Sequence, residues 1–151
     1  MDISILEELV SEFRDSLQKL VSSGNCFNLF FFKNYPFAAC DNSSMLLARY
    51  LSEKGFPGAI RVFGDKGGLK GELGGHVWLK LNCLLIDITG SQFEGYDQSE
   101  IVIGETDGFL ATFEVDCGSE LADYRLCLNL ENRSDFNDAY EAVIKQINTR
   151  C

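Results

Sequence analysis

Residues 34–55, NYPFAACDNSSMLLARYLSEKG, and residues 74–93, GGHVWLKLNCLLIDITGSQF, decide how this chain folds. In the second stretch, HVWLKL and LLIDIT alternate weakly and are rich in β-branched and aromatic side chains, which predicts two strands. Asn82-Cys83 lies between them as the turn. A two-residue turn sets Leu81 opposite Leu84, Trp78 opposite Asp87 and His76 opposite Thr89. Side chains alternate between faces along a strand, so His76, Trp78, Asp87 and Thr89 share one face. His76 and Asp87 are then diagonal cross-strand neighbours, about 7–8 Å apart at the backbone and within side-chain reach. A three-residue turn would place them on opposite faces, so the expectation rests on that parity.

The first stretch predicts a helix that begins at or just before Cys40. Counting from Cys40, Ser43, Leu46, Leu47, Tyr50 and Leu51 fall on one helical face. Gly55 followed by Pro57 marks its end, and Pro36 stands just upstream of its start. A helix N-terminus carries partial positive charge and favours a thiolate over a thiol, and a nearby imidazolium strengthens the effect. Cys40, His76 and Asp87 are therefore the candidate catalytic set.

Around this centre the chain reads as a single domain spanning residues 1–151. That length suffices to bury about 68–70% of the unfolded surface. Hydrophobic residues make up 46% and charged residues 24%, the balance of an ordered globular protein. The net charge of −10 argues against a general nucleic-acid or anionic-membrane binder, which needs a basic face. No apolar run approaches the ~20 residues needed to span a bilayer. The N-terminal MDISILEELVSEF is acidic and amphipathic, unlike a signal peptide. Six cysteines at 26, 40, 83, 117, 127 and 151 form no tight pattern, so reduced thiols in a cytoplasm are expected. With one histidine and no C-x-x-C pair, no metal site is expected, and no motif calls for a cofactor.

The remaining segments supply the frame. Residues 3–21 place Ile5, Leu6, Leu9, Val10, Phe13, Leu17, Leu20 and Val21 on one helical stripe, with Glu7, Glu8, Glu12, Arg14 and Lys19 opposite. CFNLFFF is a short strand or a buried connector. AIRVF, at 59–63, reads as a strand, and IVIG and FLATFEV as two more. The glycine-rich GDKGGLKGELGG at 64–75 matches neither GxxxxGK[ST] nor GxGxxG, so it is no phosphate loop. It is either a long connection or a mobile lid that delivers the chain to His76. Residues 119–130 hold a short helix or none. Ser134 is expected to cap a last helix that buries Phe136, Tyr140, Val143, Ile144 and Ile147. The fold class is α+β: a nucleophile helix packed on a mostly antiparallel sheet, with N- and C-terminal helices.

The pattern resembles the transglutaminase-like branch of the papain-like cysteine enzymes. A cysteine opens a Leu- and Ala-rich helix at Cys40, and a G-x-P turn follows at Gly55-Phe56-Pro57. A strand ends in V-x-G at Val62-Phe63-Gly64, H-x-W lies at His76-Val77-Trp78, and D-x-T at Asp87-Ile88-Thr89. The resemblance covers residues 34–93. It implies a papain-like core in which Cys40 is the nucleophile, His76 its base and later acid, and Asp87 the group that orients His76. It further implies an oxyanion donor shortly before the cysteine, for which Asn34 is the candidate beside the Cys40 backbone N–H. Trp78 and Gln92 are candidates for substrate contact. Asp41, directly after Cys40, departs from what a thiolate favours unless its side chain turns outward.

Three functional classes remain open on these residues. The first is a hydrolase of amide or isopeptide bonds (protease, deamidase or amidase) acting on a protein or peptide through a Cys40 thioester. The second is an amine-accepting acyltransferase on the same triad. The third is a catalytically silent protein-interaction domain. The sequence sets neither the substrate nor the oligomeric state.

Overall fold

A computed structural model of the chain describes residues 1–23, 39–116 and 120–149. Helix α1 (Ile3–Ser22) is followed by α2 (Cys40–Glu53). Strands β1 (Ile60–Asp65), β2 (His76–Leu81), β3 (Leu84–Asp87), β4 (Val102–Gly104) and β5 (Glu114–Asp116) come next, then helices α3 (Tyr124–Cys127) and α4 (Leu130–Asn148). The strands form one sheet in the order β4-β3-β2-β1-β5, every neighbouring pair antiparallel. This is the expected α+β class with helices at both ends.

The hairpin has the expected register. Leu81 pairs with Leu84, Lys80 with Leu85 and Leu79 with Ile86, so Asn82 and Cys83 are the whole turn. Asn82 has φ 54°, a left-handed conformation that asparagine tolerates better than most residues. One face of the hairpin therefore carries Leu79, Leu81, Leu84 and Ile86, which join Leu46, Leu47, Tyr50 and Leu51 of α2 in the main core. From α1, Leu6, Val10, Phe13 and Leu17 complete that core. The opposite face carries Trp78, over which Phe109, Leu110 and Phe113 form a second, smaller cluster.

Three local expectations need correction. FLATFEV is not a continuous strand: Leu110–Thr112 is a 3-10 turn, and only Glu114–Asp116 extends. The turn lets Phe109, Leu110 and Phe113 all join the cluster that contains Trp78. The last helix begins before Ser134, because Asn129 is its cap and accepts from Asn132 N at 3.0 Å. Arg14, expected on the polar face of α1, is only 3% exposed. The CFNLFFF segment and Asn34 lie outside the described residues.

The glycine-rich connection is fastened to the second cluster. Gly68 N donates to Thr112 Oγ1 at 2.8 Å, and Leu73 N to Gly67 O at 2.9 Å. The Tyr96 hydroxyl accepts from Leu69 N at 3.2 Å and donates to Glu72 Oε1 at 2.8 Å. Gly67 serves close packing and Gly74 does not: a Cβ on Gly67 would lie 2.2 Å from the Phe113 ring, whereas one on Gly74 would meet nothing within 4 Å. Gly67→Ala should therefore cost about 1–3 kcal/mol in urea unfolding, the range for overpacking, and Gly74→Ala no more than about 0.5 kcal/mol. Equal losses in the two variants would contradict this packing.

Candidate active site

His76 opens β2 and Asp87 closes β3, so the hairpin parity brings their side chains to one place. His76 Nε2 lies 2.9 Å from Asp87 Oδ2, with both side chains shut off from solvent at 0% and 1% exposure. The other carboxylate oxygen, Oδ1, accepts from Thr89 N at 3.0 Å and from Thr89 Oγ1 at 3.4 Å. Both oxygens of Asp87 are thus committed, and the carboxylate cannot rotate freely. Gly90 is a condition of this arrangement, because a Cβ there would stand 2.7 Å from Asp87 Oδ2.

With Nε2 held by Asp87, Nδ1 is the nitrogen left for the thiol. Nδ1 is buried and makes no well-formed hydrogen bond, yet the Cys40 side chain is close enough to act on the ring. Burial alone would push the imidazole's pKa down; its interactions with the Asp87 carboxylate and the nearby Cys40 sulfur outweigh it and raise the pKa to about 9. The ring therefore sits between a carboxylate and a sulfur, and that setting favours its cationic form.

Aromatic rings hold the imidazole from its remaining sides. Phe93 meets it edge-on with centroids 4.9 Å apart, while Trp78 and Phe113 lie at 5.6 and 5.7 Å. Such rings exclude water from the imidazole.

Cys40 is the first residue of α2 and is half-buried, so a substrate would meet the thiol before it met the closed His76–Asp87 pair. Its place in the first helical turn surrounds it with backbone N–H groups that have no intrahelical acceptor. Asp41 does not oppose it: its Oδ1 is bound by Arg61 Nη1 at 2.8 Å, and Arg61 also holds Glu120 at 2.8 Å. The neighbouring carboxylate is thus turned toward β1 and ion-paired there.

The other expected residues are placed less directly. Trp78 is 2% exposed and acts as a wall of the histidine's pocket. Gln92 lies half-buried in the 3-10 turn Gly90–Gln92 that follows Thr89. Among the described residues, no group of three or more His, Cys, Asp or Glu could hold a metal.

Arg14 is the site residue that periodicity missed. Its Nε donates to Ile88 O at 3.0 Å, its Nη2 to Ser91 Oγ at 3.5 Å, and its Nη1 pairs with Glu100 at 3.3 Å. It ties α1 to the segment that carries Asp87. The only signal in the sequence is a long cation beside Phe13 and Leu17, which does not reveal its direction.

The chain matches no protein-family model, no curated protein and no solved structure.

The raised pKa of His76 has a consequence for stability. A folded pKa above the unfolded value means that protonation favours the folded state. The pair's contribution is fully present below about pH 6.5 and is lost as pH rises through about 9. Its size is on the order of 3 kcal/mol, from a displacement of two to three pH units. Urea unfolding at pH 6 and pH 10 should show this loss, and Asp87→Asn should shrink it markedly. A pH dependence unchanged in Asp87→Asn would contradict the pairing.

Proposed function

We propose that this chain is a thiol-dependent acyl-transfer enzyme that hydrolyses an amide or isopeptide bond of a protein or peptide. The observation that carries the reading is the lone histidine, held by Asp87 through Nε2 and influenced by Cys40 on its other side. A nucleophile, a base that touches it and a third group that fixes the base are what covalent acyl transfer requires. The papain-like or transglutaminase-like character of the core belongs to the same proposal, as does a reducing, cytoplasmic setting for a working thiol.

The chemistry follows from the order of the groups. The Cys40 sulfur, as thiolate beside the His76 imidazolium, attacks the carbonyl carbon and the C–O π pair moves to oxygen. The backbone N–H of Cys40, at the start of α2, is our candidate donor to that oxyanion. As the C–N bond breaks, His76 gives its Nδ1 proton to the departing amine and a thioester remains. Water then attacks the thioester carbonyl, with His76 taking its proton. The C–S bond breaks to free the acid and restore the thiolate–imidazolium pair. Throughout, Asp87 keeps Nε2 protonated and the ring in one orientation.

Three measurements test the reading. Incubation with a mixed library of acyl donors should leave an adduct on Cys40 in the intact-mass spectrum, and none in Cys40→Ala. Iodoacetamide should alkylate Cys40 at pH 6 faster than exposed Cys83, and His76→Ala should abolish that advantage. Asp87→Asn should lose less activity than either Cys40→Ala or His76→Ala. If Cys40 is no faster than Cys83 at pH 6 and no donor labels it, the enzyme reading fails.

A further inference from the structure

The face of the sheet opposite α2 carries a groove of about 460 Å³ that the triad chemistry leaves unused. Ile60 and Val62 of β1, Trp78 of β2 and Leu85 of β3 line it, with Leu110 and Val115. The strand residues share a face because they occupy alternate positions on β1 and β2, and Leu85 pairs with Lys80, whose side chain also borders the groove.

The rim is charged and unequal: Glu105, Asp107 and Asp116 stand against one cation, Lys80. Asp107 is already engaged, accepting from Gln98 Nε2 at 2.8 Å and from Leu110 N at 2.9 Å. Glu105 and Asp116 are exposed; Glu105 accepts from Cys83 Sγ at 3.7 Å, and no ion pair joins either carboxylate to a basic residue among the described residues.

We propose that this groove binds an apolar peptide segment flanked by basic residues, and that it seats the protein substrate of the Cys40 site. The second clause rests on the acyl-transfer reading; the first does not. An apolar floor gains from stripping water off aliphatic side chains, at about 25 cal/mol per Å². The rim carboxylates attract a cationic flank and repel an acidic one, which favours a basic peptide over a second copy of a chain with net charge −10. Trp78 joins the two places, since the ring that lines the groove also packs at 5.6 Å against His76. Its Nε1 is buried without a hydrogen-bond partner. A small rotation toward a peptide carbonyl would therefore gain a bond and lose none.

Trp78 is the chain's only tryptophan, so its fluorescence reports on the groove and on the His76 pocket that the ring also walls, and Ala111→Arg at the groove margin tells the two apart. The experiment titrates Cys40→Ser protein, which binds without turning over. The probe is a hexapeptide blocked at both ends, with two central leucines flanked by lysines. A saturable change in emission is expected, at least tenfold weaker with glutamates in place of the lysines. Ala111→Arg, on the exposed turn at the groove's margin, should abolish it while leaving the melting temperature unchanged. No saturable change up to about 1 mM peptide, equal binding of the glutamate version, or binding undisturbed by Ala111→Arg would each overturn the proposal. Because the readout needs no catalysis, a silent Cys40 would leave this signal standing, and an active Cys40 would not rescue its absence.

Discussion

The buried hydrogen bond between His76 and Asp87 is the constraint on which the rest of this site depends. Two ionisable groups with side-chain exposures of 0% and 1% are costly to place inside a protein. The arrangement persists because each charge is met: the imidazole by Asp87 and Cys40, the carboxylate by the imidazole and Thr89. Well-packed apolar residues would often serve stability as well in such positions. A strongly perturbed histidine beside a thiol is what a catalytic site asks of its base, and the acyl-transfer proposal accounts for the pair on those terms.

The surrounding structure reads as support for that bond. The turn at Asn82 and Cys83 fixes the parity that puts both residues on one face. Gly90 leaves room for the carboxylate, and Arg14 reaches from α1 to the carbonyl of Ile88, next to Asp87 in the chain. Phe93, Trp78 and Phe113 close over the imidazole, and Gly64 and Gly67 are bare so that Phe113 can settle there. A single side chain at any of these glycines would be felt at the histidine. On the other flank, Arg61 draws Asp41 away from the start of α2, and the helix can present Cys40 without a competing carboxylate.

The parts of this site set by local rules were legible in the sequence, and the parts set by tertiary contacts were not. Alternation and a two-residue turn were enough to join His76 with Asp87, and helical spacing was enough to start α2 at Cys40. Arg14 could not be read, because helical periodicity assigns a charged residue to the outside and its true partner lies 74 positions away. The same holds for Asp41, whose fate depends on Arg61 in β1. FLATFEV looked like a strand because aromatic residues favour strands, yet three of its residues belong to one cluster with Trp78 and the chain curls to supply them. Asn129 and Ser134 are both capping types. Asn129 is the one used, because the helix gains a further turn from Leu130.

The most direct test of the account is the protonation state of the one histidine in the chain. A nitrogen-15 NMR titration of His76 from pH 5 to pH 11 would follow both ring nitrogens without ambiguity of assignment. The account predicts an imidazolium, protonated at Nδ1 and Nε2, that persists through neutral pH and titrates at about 9, and a clear fall of that midpoint in Asp87→Asn. A ring that is neutral at pH 7, or a midpoint indifferent to both Asp87→Asn and Cys40→Ser, would contradict it.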